Sequence, residues 1–209
     1  MTAPTRLRLP DRAEAEALLR AAEAKNPGPW APHSRYVADG AYRLADCLPG
    51  LDAEAAWILG LLHDIGRDSG VSDMRHIIDG YRMMEALGYP GVGRICLTHS
   101  FPLQDVRSMQ YNWDGAPEDM AFIGDYLDRI TYDDYDRLIQ LCDALALPDG
   151  FCLIEKRLVD VALRRGIHEY TLPKWQAVFA IQRDFEQRIG QPIYALLPGV
   201  VENTFKGSN

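Results

Sequence analysis

Apolar residues recur along most of the chain at the three- and four-residue spacing that gives a helix one buried face. No stretch of any length alternates apolar and polar residues as a half-buried strand does, and there is no internal repeat or low-complexity segment. The pattern therefore predicts an all-α fold, a single-domain helical bundle over residues 1–209. The expected helices cover residues 10–25, 33–49, 52–66, 76–87, 95–99, 133–146, 151–165 and 173–189.

Two segments interrupt this helical pattern. Residues 26–32 contain three prolines and one glycine, so they are expected to end the first helix and to leave His33 as the start of the second. Residues 102–118 are irregular and form a candidate lid or substrate loop. Tyr111 and Trp113 in this loop could contact a ligand, or they could only attach the loop to the core.

The composition is that of an ordinary globular protein with an acidic surface. Of the 209 residues, 47% are hydrophobic and 25% are charged, the formal net charge is −8, and the pI is about 5.1. Such a charge gives no electrostatic attraction for a nucleic acid polymer or an anionic membrane. Any phosphate site must therefore be local, made by a metal or by a few basic residues.

Two further observations concern the cellular location of the protein and the redox state of its cysteines. No apolar run approaches the roughly 20 residues of a membrane span, and Met1–Arg6 lacks the apolar region of a signal peptide, so a cytoplasmic protein is expected. The cysteines are widely spaced, without a CxxC pair, and are expected to be reduced core thiols. They are Cys47, Cys96, Cys142 and Cys152.

The polar pair His63 and Asp64 ends a run, residues 55–62, that is apolar enough to be core. A buried imidazole or carboxylate costs several kcal/mol unless it is hydrogen-bonded, charge-paired or bound to a metal. A metal ion is therefore the first hypothesis for this pair.

Further polar residues fall on apolar helix faces elsewhere in the chain. Any one of these histidines could be a core residue bonded to a carbonyl, but each would then need its own buried partner. Imidazole and carboxylate ligands suit Fe, Mn, Zn, Co or Ni, and six ligands exceed what one tetrahedral ion uses. A centre of two divalent transition-metal ions, about 3.5–4 Å apart, accounts for the number. The candidate ligands are His33, His63, Asp64, His76, His99 and Asp143.

The order of these residues, with His63-Asp64 inside the sequence LLHDIGR, resembles the HD-domain superfamily of metal-dependent phosphohydrolases. The resemblance is to the subset with the ligand order H…HD…H…H…D, and it covers about residues 33–150. The segments 1–32 and 151–209 flank this HD-like core, and they are where substrate choice is expected to be set.

The resemblance also implies how the ligands are divided between two ions. The first site would consist of His33, His63, Asp64 and Asp143. His76 and His99 would complete the second site, with Asp64 as the bridging ligand.

The activity implied by the resemblance is hydrolysis of a phosphate ester, with a nucleotide or small phosphomonoester as substrate. A metal-bound hydroxide would attack phosphorus in line. Asp64 and Arg67 are the expected catalytic residues. Arg67 could bind a substrate phosphate through two N–H groups, or it could be a solvated residue just past a helix end. Lys156 is a further candidate phosphate contact, and His168 is expected on the surface.

Other functions remain open. The same six ligands resemble those of HD-fold di-iron oxygenases, which cleave C–C or C–P bonds with O2, and ligand spacing does not separate the two classes. A non-catalytic binding protein that keeps the fold is a third alternative. A homo-oligomer is compatible with the sequence, which does not fix the oligomeric state.

Overall fold

The computed structural model describes residues 8–206, apart from the side chains of residues 110–112. Within that range the chain forms ten α-helices and one short hairpin, so the predicted all-α fold is confirmed. The strands β1 (Ala146–Leu147) and β2 (Gly150–Phe151) pair antiparallel. The helices are α1 (Arg12–Lys25), α2 (Trp30–Asp46), α3 (Ala53–Leu62), α4 (His76–Ala86), α5 (Pro90–Thr98), α6 (Pro117–Arg129), α7 (Asp134–Asp143), α8 (Ile154–Arg165), α9 (Thr171–Ile189) and α10 (Val200–Phe205).

Aspartate side chains fix where several helices begin. Asp11 accepts a hydrogen bond from the backbone N–H of Glu14 at the start of α1, and Asp52 accepts from the N–H groups of residues 54 and 55 at the start of α3. Asp133 and Asp136 form a reciprocal capping box at the start of α7. The first N–H groups of a helix have no partner within the helix, so these caps set the register of α1, α3 and α7.

Two helix boundaries differ from the expected ones. Helix α2 begins at Trp30 rather than His33, because Pro32 lies in its first turn, where the missing N–H breaks no helical hydrogen bond. Helix α3 ends at Leu62, and the chain then forms a 3₁₀ turn over Ile65–Ser69. His63 and Asp64 therefore stand at the end of α3 and not within a longer helix.

The irregular segment 102–118 is partly ordered as a 3₁₀ helix over Val106–Asn112, and α6 follows it. Helix α6 was not predicted. Its buried residues Ile123 and Leu127 have helical spacing, but charged residues surround this narrow stripe. Trp113 donates from Nε1 to the backbone oxygen of Ala116 at 3.0 Å, which favours an anchoring role for this side chain. The side chain of Tyr111 lies outside the described residues.

Helix α3 runs through the main core of the protein. Residues 55–62 are all buried, and α1, α2, α5 and α7 pack around this helix. Gly60 allows α2 to approach closely, since a Cβ at this position would lie 2.9 Å from the Cα of Ala38. A second, smaller core is formed by Ile77, Ile78, Leu97, Phe101, Met109, Ile123 and Leu127. The end of α3 lies between helices from both cores.

The structure bears on two further expectations, the absence of a membrane span and the state of the cysteines. Among the described residues, no helix has both the length and the apolarity needed to span a membrane. Residues 1–7, on which the expectation of no signal peptide rests, lie outside the described residues. All four cysteines are free thiols, of which three are buried and Cys47 is half-buried. Burial raises the pKa of both Cys96 and Cys142, so these thiols stay protonated.

Candidate metal centre

The six predicted ligands come from five separate helices and meet in one place. His63 and Asp64 directly follow α3, His76 is the first residue of α4, and His99 directly follows α5. The remaining two ligands lie within helices: His33 in the first turns of α2, and Asp143 as the last residue of α7. The four histidines and Asp64 are buried, whereas the side chain of Asp143 is 27% exposed.

Asp64 is the residue around which the imidazoles gather. Its Oδ1 lies 3.0 Å from Nε2 of His76 and 3.6 Å from Nε2 of His99, and its Oδ2 lies 3.9 Å from Nε2 of His63. Oδ2 also accepts a 2.8 Å hydrogen bond from Nε of Arg67. Both oxygens of one carboxylate thus face cationic or metal-ligating atoms.

Asp143 joins the same cluster from the opposite side. Its Oδ1 lies 2.9 Å from Nε2 of His33, and the ring centroids of His33 and His63 are 5.5 Å apart. The ligand atoms form three overlapping groups, each with all atoms within 4.8 Å of one another. These groups are His33, His63 and Asp64; His63, His99 and Asp143; and Asp64, His76 and His99.

The backbone fixes the orientation of three of the imidazoles. Nδ1 of His63 lies 2.8 Å from the carbonyl oxygen of Gly60, and Nδ1 of His76 lies 2.8 Å from that of Asp73. Nδ1 of His99 lies 3.1 Å from the backbone carbonyl oxygen of Ile95. A carbonyl can only accept, so in each ring Nδ1 carries the hydrogen and Nε2 of the neutral ring is left with its lone pair free. This is the arrangement of a histidine that binds a metal through Nε2.

The charge states are also those that a metal requires. Burial lowers the pKa of His63, and burial together with the nearby His63 lowers the pKa of His99 to about 3, so both rings are neutral near pH 7. Burial alone would raise the pKa of Asp64, but His76 and Arg67 hold it well below its usual value. Burial opposes ionisation of Asp143 too, yet its bond to His33 keeps the pKa of that carboxyl low. The centre therefore presents His63 and His99 as neutral imidazoles, and Asp64 and Asp143 as carboxylate anions.

One buried atom of the cluster has no hydrogen-bond partner. Nε2 of His76 is inaccessible to solvent, and its approach to Asp64 falls outside hydrogen-bonding geometry. Leaving such an atom unpaired in the interior costs free energy, whereas a divalent cation would satisfy it. The donor set of imidazole nitrogens and carboxylate oxygens thus fits a divalent transition metal.

Gly66 brings α4 against the turn that follows Asp64. A Cβ at position 66 would clash with the backbone of His76 and Gly80, and it would lie 2.9 Å from the Cα of Gly80. Gly80 itself allows α4 to pack on Cys96 of α5, since a Cβ there would lie 2.9 Å from the Cys96 sulfur. These two glycines set the distance of His76 from the other ligands, and the sequence pattern alone did not identify this role.

Two aspartates outside the ligand set hold the ligand-bearing helices. Asp114 accepts from the backbone N–H groups of residues 73, 74 and 75 at 2.6–2.8 Å, and so fixes the start of α4 just before His76. Asp136 is fully buried and accepts from Arg94 at 2.5 Å and from Thr98 at 2.7 Å, which ties α5 to α7. Sequence reasoning missed both residues, because their partners are distant in the chain.

The centre opens into a cavity of about 750 Å³. His33, Asp64, His76, His99 and Asp143 line it together with Arg67, which is therefore not a freely solvated side chain. The other walls come largely from α8 and α9 and include basic residues that sequence reasoning did not single out. His168, expected on the surface, is half-buried and lines the cavity. Lys156, the candidate phosphate contact, is not among the lining residues, whereas its neighbour Arg157 is. The cavity-lining basic residues of this segment are Arg157, Arg164, Arg165 and Lys174.

Comparison with known proteins gave one match. The sequence model of a protein family described as the HD domain matches residues 30–147. This range contains all six candidate ligands and Arg67, and it ends before α8. Searches of curated proteins and of solved structures each gave no significant match.

Proposed function

This chain belongs to the HD-domain family, and we propose that it is a metal-dependent hydrolase of a phosphate ester, with a nucleotide or small phosphomonoester as substrate. The observation that carries the proposal is the set of imidazoles around Asp64, with three Nε2 atoms within 4 Å of its carboxylate at the base of a cavity. A cavity of this size accommodates a small organic molecule.

The proposed metal ligands are the six residues of the cluster. We assign His33, His63, Asp64 and Asp143 to one ion, and His76 and His99 to a second ion that shares Asp64. A divalent transition metal held by these residues would lower the pKa of bound water and offset charge on phosphoryl oxygens. The overlapping ligand groups support a centre of two ions, because His63, Asp64 and His99 each belong to two of the groups.

Arg67 has two roles in this proposal. Its Nε holds Oδ2 of Asp64 in place, and the Asp64 carboxylate in turn raises the pKa of the guanidinium, which stays charged. Because the Arg67 side chain lines the cavity, its terminal nitrogens are proposed to contact the substrate phosphate. The residue would thus orient a metal ligand and the substrate at once.

The proposal is tested by metal analysis of protein purified without oxygen, followed by assay of phosphate release. Substrates would be a panel of nucleotides and small phosphomonoesters, each with Mn, Fe, Co, Ni and Mg. We expect bound transition metal and phosphate release at equal rates with and without O2. Asp64→Ala is the matched negative variant. Turnover that requires O2 and releases no phosphate would contradict the hydrolase and would identify an oxygenase.

The division of ligands is tested separately by metal stoichiometry. His76→Ala is expected to lose one ion and to retain the other, whereas Asp64→Ala is expected to lose both. Equal loss of both ions in the two variants would contradict the assignment of His76 to a second site only.

A further inference from the structure

Helices α8 and α9 form a wall of the cavity, and both lie beyond the residues that match the HD domain. The whole chain is acidic, with a formal net charge of −8. The side chains that this wall presents to the cavity nevertheless include Arg157, Arg164 and Lys174. This local concentration of positive charge is not explained by the overall composition.

Helix α8 directs two arginines into the cavity, beside the apolar residues Leu158 and Val161 and the carboxylate of Asp160. Arg157 and Arg164, seven positions apart and so on one face, line the cavity. Val159 is 47% exposed and Leu163 is 80% exposed. Val159 and Leu163 thus lie on the solvent side of the helix, whereas both arginines lie on the side that lines the cavity, where they are placed to meet a ligand.

The basic groups of this wall are incompletely paired. Nε of Arg157 is buried without a hydrogen-bond partner, and one of its terminal nitrogens lies 3.7 Å from Oδ1 of Asp143. Among the described residues, no carboxylate forms an ion pair with Arg164 or Lys174. The ammonium of Lys174 lies 3.3 Å from the thioether sulfur of Met109, a weak acceptor. Arg165 differs from these residues because it pairs with Asp73.

Two of these basic groups lie in surroundings that disfavour their charge. Burial lowers the pKa of Lys174 to about 8, although the nearby carboxylate of Asp143 acts in the opposite direction. Burial and the nearby Arg157 and Arg165 lower the pKa of Arg164. Like charges held together near a cavity are stabilised by an anion, and arginine binds phosphate through paired N–H groups.

We infer that Arg157, Arg164 and Lys174 bind a second phosphate group of the substrate, so that the substrate carries two phosphate groups, one at the metal centre and one at the α8–α9 wall. This inference rests on the proposed function and narrows its substrate class to a small organic bisphosphate or diphosphate. The proximity of Arg157 to Asp143 places the second phosphate next to the one at the metal centre.

The test compares the binding of adenosine monophosphate with that of adenosine 5′-diphosphate and adenosine 3′,5′-bisphosphate. Affinities are measured by calorimetry on the metal-loaded protein, without reliance on turnover. The wild type is expected to bind one of the two-phosphate probes about tenfold or more tightly than the monophosphate, since a charged hydrogen bond contributes about that factor. In Lys174→Met this preference should fall about tenfold, and in Lys174→Arg it should be retained.

Arg183→Gln is the matched control, because Arg183 is an exposed residue of α9 that does not line the cavity. This variant should keep the wild-type preference. Equal affinity for all three probes in the wild type, or an unchanged preference in Lys174→Met, would overturn the inference. Replacing the half-buried Lys174 with methionine is not expected to unfold the protein, and thermal unfolding of each variant checks this.

The two proposals fail in different ways. A Lys174-dependent preference without phosphate release would overturn the hydrolase and leave the anion site standing. Phosphate release from monophosphates, with no preference that depends on Lys174, would overturn the anion site and leave the hydrolase standing.

Discussion

Arg67 and Asp64 form a hydrogen-bonded ion pair of 2.8 Å inside the cavity, and the other oxygen of the same carboxylate lies 3.0 Å from Nε2 of His76. The arginine thus fixes the carboxylate that links both halves of the ligand cluster. Asp64, with His63, ends the apolar run of residues 55–62. Its hydrogen bond to Arg67 and its imidazole neighbours explain how this carboxylate can be buried there.

Replacing Asp64 with alanine should abolish both metal content and activity. A ligand shared by two sites is removed, and even loss of a residue that only orients a ligand costs about 10–100-fold in metal affinity. Metal analysis and phosphate release measure the two effects. Asp68→Ala is the control, since Asp68 pairs with Lys25 and is not a candidate ligand. Full activity in Asp64→Ala would refute the centre as described.

Gly66→Ala should lower the free energy of unfolding by about 2 kcal/mol, because the new methyl group would press on the backbone of α4, which cannot move without repacking. The same displacement should lower metal content, since His76 begins α4. Urea unfolding and metal analysis measure the two quantities. In Gly124→Ala the methyl group would meet only side-chain carbons of Val106, the nearer at 3.2 Å, and a change within about 1 kcal/mol is expected. Equal stabilities of the two variants would contradict the role of Gly66.

Asp136→Ala should lower the free energy of unfolding by about 3 kcal/mol, because the change leaves the charge of Arg94 and the hydroxyl of Thr98 without their partner. Urea unfolding measures this loss. Asp125→Ala removes an exposed partner of Arg129, with side chains 71% and 77% exposed, and should change stability by less than about 1 kcal/mol. A loss for Asp136→Ala as small as that of the control would show that the α5–α7 link contributes little.

The metal-free protein should lose stability as the pH falls below about 6.5, the ordinary pKa of histidine. In the folded state burial lowers the pKa of His63, and that of His99 to about 3. Below pH 6.5 the unfolded state therefore binds more protons at these residues, and each contributes up to about 1.4 kcal/mol of lost stability per pH unit. Above pH 6.5 the two residues add no pH dependence.

Urea unfolding in the presence of a chelator, between about pH 7 and 5, measures this slope. His99→Gln removes one of the two titrating groups and should flatten the dependence. A slope identical to that of the wild type would show that His99 is not neutral in the folded protein.

The candidate ligands could be proposed from the sequence because they are polar residues at positions where helical spacing favours apolar ones. His33, His76 and His99 were identified in this way, and the fold class followed from the same spacing. The residues that support them were not found. Asp114 and Asp136 act on partners distant in the chain, and the role of Gly66 is visible only once α4 is seen to pack on it.

The cavity wall could not be predicted for a different reason. Charged residues on a helix are usually solvated, so Arg157 and Lys174 gave no signal. Apolar residues of α8 lie on both sides of the helix, with Ile154 buried and Leu163 in solvent, so they do not indicate which side faces the cavity. That orientation depends on the packing of the whole chain.

The Nδ1 hydrogen bonds of His63 and His99 also couple the two rings to the ends of α3 and α5. Each ring donates to a carbonyl in the final turn of the helix that precedes it, Gly60 in α3 or Ile95 in α5, and the Ile95 carbonyl also accepts from the backbone N–H of His99. Fraying of either helix end would turn its ring away from the cluster. Binding of an ion by the Nε2 atoms would therefore oppose local opening of these helix ends, and it would slow amide hydrogen exchange in the last turns of α3 and α5.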